Sequence, residues 1–174
     1  MTPERMFMLE AVKEGEKAME LGEGRPFGAV VTRNGEIVAR GRHTALATGQ
    51  PTDHAEFLAM RGACRLLGVT SLRDCELYAS GQPCLMCLAA AHIMGIPVIY
   101  YANTFADTAL LGQPPGDKFV ASFAAILGFS PEEACRFDGI FKSSANMRVT
   151  HLPMPEALAL YHRWREHFAP EQKS

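Results

Sequence analysis

The sequence has no excess of either charge sign, and this excludes a broad class of binding partners. Lys and Arg number 17 and Asp and Glu number 19, which gives a net charge of −2 over 174 residues. A protein that gathers nucleic acid by electrostatics needs a basic surface or stripe. We therefore expect a small-molecule substrate and no nucleic-acid partner.

Long apolar runs and an even set of cysteines are also missing. No stretch of the sequence is long and charge-free enough to cross a bilayer. The N-terminal segment carries Glu4, Arg5, Glu10 and Lys13, so it lacks the apolar core of a secretory signal. The five cysteines are an odd number, which argues against a disulfide framework. These absences predict a cytoplasmic protein with reduced thiols and no membrane association.

Internal repeats, low-complexity tracts and linker-like segments are absent as well. A chain of 174 residues that is 48% hydrophobic is long enough to bury one sizeable core. We therefore predict a single domain over residues 1–174, in which residues 155–174 form a C-terminal helix and tail.

What the sequence does contain is a group of metal-binding side chains at zinc-like spacing. His54 and Glu56 are separated by one residue, and Cys84 and Cys87 follow as a C-x-x-C pair. Zn²⁺ binds thiolate sulfur and imidazole nitrogen tetrahedrally, and three protein ligands leave a fourth position for water. Glu56 is too close in sequence to His54 to be a comfortable fourth ligand, but it is well placed to exchange protons with that water. The set predicts a catalytic zinc site.

Two predicted helices place these side chains. Pro83 is typical of the first turn of a helix, which would put Cys84 and Cys87 on one face of that turn. Thr52 or Asp53 is a suitable N-cap for the apolar, helix-periodic segment that follows. The partial positive charge of a helix N-terminus lowers the pKa of a thiol and favours the thiolate that binds metal.

Each part of the motif has a structural alternative when it is taken alone. Glu56 could pair with Asp53 in a capping box, and the two thiols are compatible with small buried residues or with a redox pair. A noncatalytic zinc module is a further alternative. Glu56 argues against it, because a closed structural zinc site has no need of an adjacent carboxylate.

In this order and spacing, the residues resemble the cytidine-deaminase-like zinc deaminases, whose signature joins H-x-E to P-C-x-x-C. The resemblance implies that His54, Cys84 and Cys87 hold zinc. It also implies that Glu56 carries protons while water adds to an amino-bearing ring carbon and ammonia leaves. A homodimer is expected by analogy, with exchange of residues 155–174 between subunits as a further analogy.

The pattern along the chain predicts an α/β fold of three layers, α/β/α, and the resemblance implies a mixed central sheet of about five strands. Pro3 begins an amphipathic helix that ends at Gly22, and Asn34-Gly35 predicts a two-residue hairpin turn. The other predicted elements are strands over 27–32, 36–41, 77–80 and 98–102, a loop over 43–51, and helices after His54, from Pro83 to about Met94 and over 156–168. The zinc motif lies at strand-to-helix turns, where ligands normally bind.

Within the superfamily, the chain looks most like the bacterial guanine deaminase branch. The residues that carry this resemblance are Gly22–Val31, Pro51–Glu56, Tyr100–Ala102, Asp107, Trp164 and Phe168. It implies a zinc-dependent hydrolytic deaminase of guanine or a related amino-substituted heterocyclic base. Alternatives are a deaminase of cytosine or another nucleobase or nucleoside and, less favoured, a tRNA adenosine deaminase, which needs a basic surface to hold the anticodon stem.

The resemblance makes Phe27, His43, Ala55 and Asp117 candidate substrate-binding residues. His43 stands where relatives place an asparagine, and its imidazole donates or accepts according to its tautomer. The alternative is a solvated loop histidine. Asp117 is suited to accept the ring N–H and amino hydrogens of guanine, or it is a turn residue. Phe27 either lines the pocket or belongs to a turn into a buried strand.

Two further positions depart from the pattern of the relatives. Gln82 replaces an acidic residue before Pro83 and Cys84, which removes a negative charge near the zinc site. Ile93 replaces an aromatic residue that is expected in the purine-binding branch. We therefore expect the chemistry to be kept, while the choice of substrate depends on His43, Ile93 and Asp117.

Overall fold

The computed structural model describes residues 1–111 and 146–168, and it has helices on both faces of a five-stranded sheet. The helices are α1 (Pro3–Glu20), α2 (Ala45–Thr48), α3 (Ala55–Leu67), α4 (Leu85–Met94) and α5 (Pro155–Phe168), with a short 3₁₀ helix over Asp107–Leu111. The strands are β1 (Gly28–Arg33), β2 (Glu36–Arg42), β3 (Cys75–Gly81), β4 (Val98–Asn103) and β5 (Arg148–His151). The predicted three-layer α/β/α class with a mixed sheet is confirmed.

The sheet has the strand order β2-β1-β3-β4-β5. β1 runs antiparallel to both of its neighbours, whereas β3, β4 and β5 are mutually parallel. The carboxyl ends of β3 and β4 therefore lie at one edge, with Gly81 opposite Asn103. In sheets with parallel strands, this edge is where ligands bind.

The predicted hairpin between β1 and β2 is confirmed. Asn34 and Gly35 both have positive φ, 53° and 78°, as the favoured two-residue hairpin turn requires. At the open end of the hairpin Gly28 is opposite Arg42, and the amide of His43 donates to the carbonyl oxygen of Phe27 at 3.0 Å. The hairpin thus brings two candidate pocket residues together.

The two faces of the sheet bury separate cores. α3 and α4 pack on the face to which Ala29 and Val31 of β1 point, while Val30 points to the face covered by α1 and α5. Such alternation is the expected period of a strand buried on both sides. Gly28 allows α1 to approach β1 closely, since a β-carbon there would lie 2.1 Å from a backbone oxygen of α1.

The C-terminal helix α5 packs against α1 and the 3₁₀ helix. Tyr161 and Trp164 are fully buried beside Leu111, and the ring of Trp164 lies 4.3 Å from that of Phe168 between centroids. These contacts are made within one chain. Exchange of this segment between subunits stays a prediction.

Some predicted boundaries are wrong. The segment over 43–51 contains α2 and is not a continuous loop. The N-cap of α3 is His54, not Thr52 or Asp53, and α4 begins at Leu85 with Cys84 as N-cap, not at Pro83. Both caps have extended backbone angles, so each helix starts only after its metal-binding side chain. The four-residue β5 was not predicted, because it is only partly buried and has no alternating apolar pattern.

The described residues can be compared with two features that the sequence lacks, namely a membrane-spanning segment and a disulfide framework. Over residues 1–111 and 146–168, no helix combines the length and the apolar character needed to span a membrane. Cys64 and Cys75 are free thiols. Cys135 lies outside the described residues.

Candidate active site

His54, Cys84 and Cys87 meet where α3 and α4 begin. Nδ1 of His54 lies 3.5 Å from Sγ of Cys84 and 3.7 Å from Sγ of Cys87. All three donor atoms lie within 4.8 Å of one another. Ordinary tetrahedral zinc bonds of about 2.1 Å to nitrogen and 2.3 Å to sulfur separate the two kinds of ligand atom by about 3.6 Å. This metal-ligand cluster therefore fits zinc, and the three residues predicted as ligands are brought together.

The local backbone explains why these side chains converge. His54 and Cys84 are N-cap residues, yet neither side chain caps its own helix. Both are therefore directed to a common point between the two helix starts, and Cys87 joins them from the first turn of α4. The partial positive charges of two helix N-termini favour thiolates at this point.

The electrostatics of the cluster favour the thiolate form of one of the two cysteines. The hydrogen bond from Cys87 holds the pKa of Cys84 well below that of a free thiol, and His54 lowers it further against the effect of burial. The same hydrogen bond and burial raise the pKa of Cys87. Burial lowers the pKa of His54, but the hydrogen bond to Cys84 and its charge more than offset this and raise it overall. Cys84 is thus the cysteine of the pair whose thiolate is favoured.

No fourth protein ligand joins the cluster among the described residues. Cys75 is buried elsewhere and its sulfur lies 3.6 Å from a carboxylate oxygen of Asp74, while His92 is exposed on α4. Three protein ligands with an open fourth position are typical of a catalytic zinc site, whereas structural sites are closed by four.

Glu56 is the buried acid of the site. It is the second residue of α3, and burial together with the charge of Cys84 raises its pKa to about 7. Both protonation states are then populated near neutral pH, as a group that takes and returns a proton requires. The capping-box alternative is wrong, because Asp53 is not the N-cap of α3 and its carboxylate accepts from the Thr48 hydroxyl at 2.9 Å.

Two rings form a wall beside the metal-ligand cluster. The ring centroid of His43 lies 5.4 Å from that of His54 and 5.9 Å from that of Phe27. His43 is only 5% exposed, so the alternative of a solvated loop histidine is wrong. The amide of Arg25 donates to Nδ1 of His43 at 3.2 Å. A neutral His43 therefore carries its proton on Nε2, where it is a donor.

For the other residues predicted to contact or select substrate, the structure shows no side chain lining the site. The side chain of Ala55 is buried in the core under α3, so a substrate contact there would come from its backbone. Asp117 lies outside the described residues. Ile93 is 83% exposed and does not line the site within one chain, so the specificity role expected for it is not supported there.

Sequence reasoning missed Ser80 and Asn103 at the ligand-binding edge, and it gave Gln82 only an effect on charge. Ser80 is buried and accepts the amide hydrogen of Gly28 at 2.9 Å, while Asn103 is buried and donates to the carbonyl oxygen of Ala157 at 2.9 Å. Gln82 accepts the amide hydrogen of Phe105 at 3.1 Å. Gln82 therefore ties down the turn after β4 in addition to changing the charge near the cluster. The signal that could have found them is their place at the carboxyl ends of β3 and β4.

Residues 1–103 match the family model described as the cytidine and deoxycytidylate deaminase zinc-binding region. The chain belongs to this deaminase family. Guanine deaminase of Bacillus subtilis (strain 168) is 40% identical over 106 residues, which are 61% of this deaminase and 68% of that protein. The tRNA-specific adenosine deaminase of Aquifex aeolicus (strain VF5) is 36% identical over 96 residues, which are 55% of this chain and 63% of that protein.

A solved structure shows the same fold over nearly the whole chain. A substituted form of the protein NE0047 in complex with 8-azaguanine matches with a TM-score of 0.74 and 25% identity, and the match covers 95% of this deaminase and 85% of that chain. Family membership and these relatives make the protein a zinc-binding hydrolytic deaminase. They do not separate its substrates, because relatives named for a free base and for tRNA match at similar identity.

Proposed function

We propose that this deaminase removes an amino group from guanine or a closely related amino-substituted heterocyclic base and releases ammonia. The observation that carries the proposal is the buried Glu56 beside a metal-ligand cluster of three donors. Support for guanine comes from the 40% identity to a guanine deaminase and the likeness to a structure that holds 8-azaguanine. Cytosine or another nucleobase or nucleoside is the alternative.

Each residue of the site has a proposed role. His54, Cys84 and Cys87 hold the zinc ion, which when bound lowers the pKa of a water molecule and so supplies a nucleophile at neutral pH. Glu56 takes a proton from that water and returns it to the amino group that leaves. Its burial excludes bulk water from the proton that it carries.

The substrate is held by residues outside the cluster. Phe27 offers a ring face for stacking, and His43 offers Nε2–H to an acceptor on the heterocycle because Arg25 occupies Nδ1. Ala55 and Asp117 are proposed to complete the pocket, Ala55 through its backbone and Asp117 as acceptor of ring N–H and amino hydrogens.

A tRNA adenosine deaminase is the second candidate, because enzymes of that name match at up to 38% identity. The net charge of −2 disfavours it, since tRNA binding draws on a basic surface. On α5, Arg163 is already paired with Glu16 at 2.7 Å. A cytoplasmic homodimer that acts on a small molecule is the assembly we propose.

The proposal is tested by measuring ammonia release from a panel of purines, pyrimidines, pterins and triazines with the zinc-loaded protein, and deamination of tRNA in parallel. We expect turnover of guanine or a near analogue. Salt-sensitive tRNA binding with deamination at one anticodon base would favour the second candidate. Absence of turnover on every compound would reject the proposed activity.

The role of Glu56 is tested by Glu56→Gln, which deletes the proton carrier but keeps the metal ligands. We expect turnover to fall by about two to four orders of magnitude while zinc content stays at the wild-type level. Glu14→Gln is the matched control, since Glu14 is buried and pairs with Lys17 on α1. It removes a buried carboxylate away from the cluster and should leave turnover close to wild type. Turnover retained in Glu56→Gln would show that the assignment is wrong.

A further inference from the structure

The phenol of Tyr161 is a buried polar group whose oxygen has no hydrogen-bond partner of normal geometry among the described residues. The residue is 0% exposed, and its hydroxyl makes no hydrogen bond to any described residue. The amide of Asn103, which donates one hydrogen to the carbonyl oxygen of Ala157 at 2.9 Å, lies close enough to the phenol to act on its pKa. Leaving a buried hydroxyl without a well-formed hydrogen bond costs stability, so such a group calls for a physical reason.

The hydroxyl lies at the back of the proposed pocket. A β-carbon built on Gly81 would be 2.7 Å from the Tyr161 oxygen and 3.0 Å from the ring of Phe27. Gly81 is the last residue of β3, three positions before Cys84. The hydroxyl therefore lies beside the strand end that leads into the metal-ligand cluster.

A continuous series of rings joins Tyr161 to the cluster. The Tyr161 ring meets that of Phe27 at 90° with 5.8 Å between centroids. Phe27 in turn contacts His43, and His43 contacts His54. The carboxylate of Glu56 is also close enough to act on the phenol electrostatically. The group thus faces the region where a heterocycle must lie to reach both the cluster and Glu56.

The ring of Phe27 and the backbone of residue 81 lie next to the hydroxyl. Gly81 has no side chain, and Phe27 is half-buried. Burial and the Glu56 charge raise the pKa of Tyr161, so the phenol keeps its proton near neutral pH and is able to donate.

We propose that the Tyr161 hydroxyl donates a hydrogen bond to a ring acceptor of the bound heterocycle when the Phe27 ring turns aside. Tyr161 is then a specificity-determining residue, and the substrate class is narrowed to heterocycles with a carbonyl oxygen or an unprotonated ring nitrogen on the edge away from the leaving amino group. This inference rests on the proposed function, because it needs a heterocycle in the pocket.

The test compares Tyr161→Phe with the matched variant Tyr78→Phe. Tyr78 is equally buried, but its hydroxyl is paired with Glu76 at 2.7 Å on the face of the sheet covered by α1 and α5. Both changes delete one oxygen and keep the ring. For each zinc-loaded variant we would measure the thermal midpoint without ligand and kcat and KM for ammonia release from guanine.

Opposite patterns are expected for the two variants. Tyr161→Phe should keep or raise the thermal midpoint and lower kcat/KM for guanine about tenfold, since a hydrogen bond made only with substrate is lost. Tyr78→Phe should lower the thermal midpoint and leave kcat/KM unchanged. The tenfold loss should shrink for analogues that lack the ring acceptor.

Two results would overturn the inference alone. If wild type deaminates guanine and Tyr161→Phe does so with unchanged kcat/KM, the hydroxyl does not meet the substrate. If Tyr161→Phe destabilises the ligand-free protein as much as Tyr78→Phe does, the hydroxyl has a structural partner. Failure of wild type to deaminate guanine or any other heterocycle would reject the proposed function and this inference together.

Discussion

The metal-ligand cluster and the rings of Phe27, His43 and Tyr161, together called the ring wall, are linked by ring contacts but are built differently. The cluster draws its donors from the first residues of two helices, with Cys84 and Cys87 only three positions apart. The ring wall draws on a segment before β1, a segment after β2 and the C-terminal helix α5. Short-range geometry determines the first region, and the packing of the whole fold determines the second.

This difference separates the step that the family shares from the choice of substrate. Substitutions in the ring wall leave the donor atoms of the cluster in place, because those atoms depend on the starts of α3 and α4. Under the proposed function, the same substitutions would alter the surface that a heterocycle meets. We therefore expect zinc content and substrate preference to respond independently to mutation.

The largest effect is expected from Cys87→Ala. It removes one of three donors and also the hydrogen bond that lowers the pKa of Cys84, so zinc should be lost and turnover should fall to background. Cys64→Ala is the matched control, because Cys64 is a free thiol on α3 outside the cluster. Zinc is measured by atomic emission and turnover by ammonia release. Full zinc content in Cys87→Ala would remove Cys87 from the ligand set.

A smaller effect is expected from His43→Ala. The change removes the Nε2–H donor and the ring between Phe27 and His54, and we expect kcat/KM for guanine to fall about ten- to a hundredfold with zinc content unchanged. His162→Ala on the exposed side of α5 should match wild type in both measurements. If zinc is lost from His43→Ala, the ring wall and the cluster do not act independently.

The smallest effect is expected from Gln82→Ala. Loss of the acceptor for the amide of Phe105 should cost about 1 kcal/mol and lower the thermal midpoint by about 2–4 °C. Gln82→Glu keeps an acceptor at the same place and should restore the midpoint, and it also adds the negative charge that relatives carry. Calorimetry of the two variants separates the role of the hydrogen bond from that of the charge. Equal midpoints in Gln82→Ala and wild type would contradict the structural role.

Local signals in the sequence predicted much of the fold and of the cluster. The hairpin followed from Asn34-Gly35, because few residues other than glycine and asparagine adopt positive φ. The cluster followed from the spacing of His54, Cys84 and Cys87, because zinc chemistry restricts ligand type and number. The hairpin depends on backbone angles of adjacent residues, and the cluster depends on side chains that bind one ion.

The helix starts and the ring wall could not be predicted in the same way. The rules for helix starts favoured Thr52 or Asp53 as the cap of α3 and Pro83 in the first turn of α4. His54 and Cys84 are the N-caps instead, and neither side chain caps its own helix. Tyr161 reads from sequence as an apolar position of an amphipathic helix. Its contact with Phe27 joins residues that are far apart in the sequence, and no local sequence pattern predicts such a contact.

The hairpin of β1 and β2 has a consequence for how substrate choice can evolve. Phe27 and His43 flank its open end. The Asn34-Gly35 turn is at the other end, about 20 Å away if each strand residue advances the chain by about 3.3 Å. Strand pairing transmits a change of turn length along this distance, since a slip of one residue reverses the face to which every following side chain points. Insertions and deletions in this turn, far from the zinc ligands, would thus change the positions of Phe27 and His43 in the ring wall. The remote turn is thus a place where a change of chain length would alter the proposed pocket without replacing any zinc-binding residue.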